Sequence, residues 1–146
     1  MPKEYTSRLL LPSIPFILNG VEFKALPALP MAVRRAEAKA NYEMLEIWGK
    51  IRAMIGVKQI EVATTEEGAD AFDFDEMYDQ LEVLQAEVTA KVLECMLMLI
   101  PAEFHDSFRE EAGRTDDITL YEIYRDLRRQ IIFNEEVLNE GHPTMP

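Results

Sequence analysis

The apolar and polar positions near the start of the chain alternate on both sides of an Asn-Gly pair, which predicts a β-hairpin. The segment Pro15–Phe23 reads Pro-Phe-Ile-Leu-Asn-Gly-Val-Glu-Phe. Asn and Gly are the residues best able to take positive φ at both central positions of a type I′ turn. A two-residue turn fixes the cross-strand pairs, which are Leu18–Val21, Ile17–Glu22 and Phe16–Phe23. Because side chains alternate along a strand, one face carries four apolar residues, namely Phe16, Leu18, Val21 and Phe23.

After an extended connector, Ala25–Pro30, the apolar positions recur every three or four residues, as in amphipathic helices. The pattern predicts helices at about 31–55, 74–100, 101–112 and 120–139. The first helix has the apolar stripe Val33, Ala36, Ala40, Met44, Trp48, Ile51 and Ile55, and Gly56 is expected to end it. Ile100-Pro101 is expected to separate the second helix from the third. Thr119-x-x-Glu122 is typical of a capping box and is expected to open the last helix.

Residues 57–72 leave more than one interpretation open. Val57–Ala63 fits a short strand or the start of a loop, and Thr64-x-x-Glu67 fits a capping box that opens a brief turn. Gly68 and its small neighbours favour a loop. The predicted fold is mainly α: an N-terminal β-hairpin (15–24) followed by a three- to four-helix bundle. It forms a single domain, residues 14–141, between an N-terminal arm (1–13) and a short tail (142–146).

Composition and charge exclude several classes of function. The chain has 146 residues, 48% of them hydrophobic, and a net charge of −12. Such a charge disfavours nucleic acid and anionic membranes as partners, because both need clustered Lys or Arg. The apolar run Leu9–Leu11 is broken by Pro12 and is too short for a signal peptide or a membrane span. A single cysteine, Cys95, rules out an internal disulfide and favours a reducing compartment.

The residues that usually carry chemistry do not form a recognisable constellation. His105 and His142 have no second His or Cys at helical spacing, so no metal site is predicted. Cys95 falls on the apolar stripe of the second helix and is expected to be a buried, inert thiol. Phosphate-binding loops and catalytic motifs are absent from the sequence. We therefore expect neither a cofactor nor an enzymatic activity.

Two segments have unusual patterns, and each allows two interpretations. Glu61–Glu87 holds ten carboxylates and no Lys or Arg, and either is a solvated surface or docks a basic partner. Val92–Ile100 is apolar almost all round the helix, which places it either at the centre of the fold or against a partner. Met96 and Met98 suit a surface that accepts varied apolar partners.

The last predicted helix carries three arginines, Arg125, Arg128 and Arg129. Helical ion pairs with Glu122 and Asp126 largely account for them.

The N-terminal pattern resembles one protein family. Phe16-x-x-Asn19-Gly20-Val21, the second apolar strand, the Leu-Pro connector and a helix with Arg34 and Arg35 resemble the start of the tail assembly chaperones of long-tailed bacteriophages. The likeness covers residues 14–50. The resemblance implies a non-enzymatic protein of the infected host's cytoplasm that is absent from the virion. Many members of the family are also made in a longer form by ribosomal frameshifting, and this chain would be the short form. The resemblance implies two partners, an aggregation-prone tape measure protein and the tail tube protein recruited around it.

The expected partner-binding residues are the four of the hairpin face, Phe16, Leu18, Val21 and Phe23, together with Met96 and Met98. If the hairpin face packs on the chain's own helices, its four residues belong to the core instead. An apolar helix such as 92–100 also allows self-association. Two other classes stay open: a structural virion protein at the head–tail joint or capsid, and an acidic inhibitor of a nucleic-acid-binding protein.

Overall fold

Over the residues that the structure describes, the fold is a two-stranded hairpin docked on four α-helices, as the sequence predicts. We describe it from a computed structural model, in which residues 2–64 and 74–141 are placed. The strands are β1 (Ile14–Leu18) and β2 (Val21–Ala25), and the helices are α1 (Met31–Thr64), α2 (Phe74–Leu99), α3 (His105–Ala112) and α4 (Asp117–Gly141). Single 3₁₀ turns lie at Arg8–Leu10 and Ala102–Phe104.

The hairpin has the predicted register, in which Leu18 pairs with Val21 and Phe16 with Phe23. Asn19 and Gly20 have φ values of 52° and 82°, as a type I′ turn requires. The Asn19 side chain also donates to Glu111 Oε2 (3.3 Å) and Thr115 Oγ1 (3.1 Å) at the end of α3. The tip of the hairpin is therefore fastened to a helix that lies far along the sequence.

Backbone and side-chain hydrogen bonds also hold the connector between the hairpin and α1. The Leu26 amide donates to the carbonyl oxygen of Leu99 at 2.8 Å, which supplies a partner to the last turn of α2. The Asn134 side chain of α4 donates to the Pro27 carbonyl oxygen at 2.9 Å. These bonds fix where the hairpin sits relative to α2 and α4.

Helix α2 packs against both α1 and α4. Lys91 of α2 forms an ion pair with Glu43 of α1 at 2.5 Å, and Arg34 of α1 forms one with Glu135 of α4. The core between them is largely apolar, and its most deeply buried side chains include Met44, Leu99, Phe108, Leu127 and Ile131.

Two predicted helix ends are wrong. The first helix does not stop at Gly56 but continues to Thr64, so Val57–Ala63 is helical and not a strand. A glycine inside a helix costs only about 1 kcal/mol, so Gly56 does not by itself end the helix. The suggested capping box Thr64–Glu67 and the loop at Gly68 reach outside the described residues.

The last helix begins at Asp117 and not at residue 120. Asp116 accepts hydrogen bonds from the Thr119 amide (2.9 Å) and hydroxyl (2.7 Å), and these bonds hold the pKa of the Asp116 carboxyl below its usual value. Thr119 is therefore the third helical residue of a cap centred on Asp116 and does not itself open the helix. The break predicted at Ile100-Pro101 is confirmed, because α2 ends at Leu99.

Candidate functional site

The hairpin face that was expected to bind a partner packs on the chain's own helices. Leu18 and Phe23 are 4% and 1% exposed, while Phe16 and Val21 are partly buried against the core. The Phe23 ring makes edge-to-face contacts with Phe108 (5.4 Å between centroids) and Phe104 (6.5 Å). This is the arrangement in which the hairpin face serves as core, and a partner could reach Leu18 or Phe23 only if the hairpin lifted away.

The two methionines of α2 lie in different surroundings. Met96 has no exposed surface, whereas Met98 is partly buried at the edge of the core. The central position of this apolar helix explains why it lacks a polar face along Val92–Ile100. Of the two, Met98 alone reaches the surface of the folded chain.

One open groove contains two of the predicted residues, and we call it the hairpin groove. Its volume is about 660 Å³, and it is lined by Pro15, Phe16, Ile17, Glu22, Phe23, Lys24 and Phe104. Ile17 is 67% exposed, because it lies on the outer face of the strand. The groove is mainly apolar, with one acidic and one basic residue on the opposite strand.

A second groove lies on the other side of β1, between the N-terminal arm and α4. Its volume is about 670 Å³, and its apolar lining includes Leu11, Pro12, Ile14, Pro15 and Phe133. Phe133 is 53% exposed. The start of β1 is therefore flanked by apolar surface on both sides.

Glu37 is buried beneath the surface between α1 and α4, with 1% of its area exposed. Its carboxylate accepts hydrogen bonds from the Tyr124 hydroxyl at 2.6 Å and from Arg128 Nε at 2.8 Å. The hydrogen bond to Glu37 is the main cause that raises the pKa of Arg128. Burial is the main cause that raises the pKa of the Tyr124 hydroxyl, so the hydroxyl stays protonated and remains a donor. The Asn41 side-chain amide lies 3.1 Å from the same hydroxyl.

Reading the sequence for apolar periodicity missed this cluster. Ala36 was expected on the inner stripe of α1, but it is exposed and its neighbour Glu37 points inward. The signal that could have found it is the spacing of Tyr124 and Arg128, which lie one turn apart on α4 and can bind one carboxylate together.

Above Glu37 the surface forms a small groove of about 150 Å³, which we call the arginine groove. The lining includes three arginines and no carboxylate. The full set is Asn41, Tyr121, Tyr124, Arg125, Arg128, Arg129 and Ile132. Asp126 lies at its rim, 3.9 Å from Arg125 Nε and 4.0 Å from Arg129 Nη1. The pair between Arg129 and Asp126 was predicted from the sequence. Arg128 pairs across the fold with Glu37, which the sequence pattern did not indicate.

Cys95 and His105 form no site with other residues that the structure describes. Cys95 has no exposed surface, as predicted, and burial raises the pKa of its thiol to about 11. His105 is partly buried, and its Nε2 lies 2.7 Å from the Ile100 carbonyl oxygen. His142 lies outside the described residues. Within the part of the chain that the structure describes, no cluster of three or more His, Cys, Asp or Glu could hold a metal ion.

The acidic segment Glu61–Glu87 is described in its second half, where Asp75, Glu76, Asp79, Glu82 and Glu87 are all exposed on α2. A search of the helices over residues 2–64 and 74–141 finds none with the length and apolar content needed to cross a membrane.

We compared the chain with protein-family models, with curated proteins and with solved structures, and none of the three comparisons gave a match.

Proposed function

We propose that this protein is a non-enzymatic chaperone of phage tail assembly. In this proposal it binds the tape measure protein in the cytoplasm of the infected host, keeps it soluble and helps to recruit tail tube subunits. The resemblance of residues 14–50 to that family motivates the assignment. A tail assembly chaperone needs an exposed apolar surface for a client whose own apolar stripes would otherwise aggregate.

The hairpin groove is the observation that supports the proposal best. It joins exposed Ile17 to the partly buried Phe16 and to Phe104, and it is large enough to take side chains of a client helix. The net charge of −12 helps to keep the complex in solution. In this proposal the groove, and not the buried part of the hairpin face, contacts the client.

The test is co-expression with the tape measure protein of the same phage, with the solubility and co-elution of the client as the readout. Ile17→Glu places a charge in the groove at an exposed position. Ile118→Glu is the matched control, because Ile118 is 68% exposed, against 67% for Ile17, and lies at the start of α4. We expect a soluble complex with the unmodified chain and with Ile118→Glu, and an insoluble client with Ile17→Glu.

A client that stays insoluble beside the unmodified chain would contradict the proposed function. A client that Ile17→Glu solubilises as well as the unmodified chain does would leave the function standing and reject the hairpin groove as its site. The two failures are therefore distinguishable.

A further inference from the structure

We propose that the arginine groove is a binding site for a carboxylate-bearing segment of a partner protein. The site shares no lining residue with the hairpin groove, and the inference does not rest on the proposed function.

The first argument concerns the hydrogen-bond donors in the groove. Arg125 and Arg129 approach Asp126 only at 3.9 and 4.0 Å, which is too long for a hydrogen bond. Neither guanidinium donates a hydrogen bond to any residue that the structure describes. Both therefore keep their N–H groups available for an anion, and a carboxylate matches the planar fork of a guanidinium in two parallel bonds.

The second argument is that the side of the groove formed by Arg128 is rigid. Arg128 is held by Glu37 through Nε (2.8 Å) and Nη2 (3.3 Å), which fixes the plane of its guanidinium and leaves Nη1 free of that pair. Glu37 is in turn held by the buried Tyr124 hydroxyl. A ligand that binds Arg128 therefore meets a donor whose position is already set, so little conformational entropy is lost on binding.

The third argument concerns the partner's chemistry. In a chain with a net charge of −12, this groove concentrates three arginines and excludes carboxylates from its lining. Apolar surface lies beside the charges, since Ile132 is 39% exposed in the groove and Leu45, one helical turn beyond Asn41, is 52% exposed. The complementary ligand is a protein segment with Asp or Glu next to an apolar side chain.

The experiment uses a blocked peptide of alternating Glu and Leu as the probe, with a peptide of alternating Gln and Leu as its control. Trp48 is the sole tryptophan of the chain, and its ring lies 6.4 Å from that of Tyr121, which lines the groove. Titration followed by tryptophan fluorescence therefore reports on this site. We expect the Glu peptide to bind and the Gln peptide to bind at least about tenfold more weakly.

The double variant Arg125→Gln/Arg129→Gln is expected to weaken binding of the Glu peptide by at least about tenfold. The matched control is Arg109→Gln/Arg114→Gln, which removes the same charge from exposed arginines on and just after α3. Both variants change exposed side chains, and circular dichroism checks that each keeps its helices. The control is expected to bind like the unmodified chain.

Three results would overturn the inference. The first is no binding of the Glu peptide at millimolar concentration. The second is equal binding of the Glu and Gln peptides or an equal loss in both double variants, which would indicate apolar or long-range effects. The third is binding of inorganic phosphate by a chain that does not bind the Glu peptide.

Discussion

Replacing Glu37 with alanine is expected to destabilise the protein strongly, although the substitution removes a charge from an already acidic chain. Glu37 is 1% exposed and accepts from Tyr124 and twice from Arg128, at 2.6, 2.8 and 3.3 Å. The alanine variant leaves the buried Tyr124 hydroxyl without its nearest acceptor and Arg128 without its counter-ion.

The size of the effect follows from these contacts. Breaking a buried ion pair by removing one partner costs about 3–5 kcal/mol. Arg128 is partly exposed, with 33% of its side-chain area accessible, so part of its loss is recovered by water and the lower end of that range is expected. At this chain length each kcal/mol lowers the melting temperature by about 2–4 °C.

Urea unfolding followed by circular dichroism gives the free energy of unfolding directly. Glu46→Ala is the control, because Glu46 lies on the same helix and is exposed; its effect is expected within about 0.5 kcal/mol. Tyr124→Phe removes only the hydroxyl and is expected to cost about 1.5–3 kcal/mol, because the lost hydrogen bond goes to a charged group. The double variant Glu37→Ala/Tyr124→Phe should lose less than the sum of the two, because no buried hydroxyl is left unpaired. A loss below about 1 kcal/mol for Glu37→Ala would refute the reasoning.

Three further predictions concern separate parts of the fold. Met96→Ala is expected to cost about 2–5 kcal/mol and Met98→Ala distinctly less in urea unfolding, because only Met96 is fully buried; equal losses would contradict this. Gly20→Ala is expected to cost about 1–2 kcal/mol from backbone strain alone, since φ is +82° and an added Cβ would have no heavy atom within 4 Å beyond its chain neighbours. An unchanged midpoint of unfolding would contradict this. Cys95 should resist iodoacetamide at pH 8 until the chain is unfolded in urea. Its raised pKa means that the unfolded state releases the thiol proton first, so Cys95 should lower stability as pH rises from about 9 to 11, and Cys95→Ala should show a smaller fall in that window.

Local sequence chemistry predicted the hairpin and the break after α2 well. The register depended on Asn19-Gly20, and the break depended on Pro101; both act within a few residues. The end of α1 was wrong because a glycine disfavours a helix by only about 1 kcal/mol, so Gly56 does not by itself end one.

The candidate site was harder to predict because its parts meet only in the folded chain. Glu37 and Arg128 are 91 positions apart, and no local pattern connects them. The hairpin face was identified correctly as apolar, yet apolarity alone does not distinguish core from interface. The structure separates the two through exposure: Phe23 is 1% exposed, whereas Ile17, which alternates to the other face, is 67% exposed.

The hydrogen bond from Asn134 to Pro27 joins residues 107 positions apart and has a consequence for how the chain folds during synthesis. At about 5–20 residues per second, the ribosome adds Asn134 roughly 5–20 s after Pro27. The rings of Phe16 and Phe23 have no helix to pack on until Phe104 and Phe108 are made, and before then they stay open to other chains. A two-stranded hairpin is only marginally stable in water, so it gains its final shape late. The hairpin is made before the helices and is thus among the last elements to be secured, so conditions that slow translation should expose it to aggregation for longer.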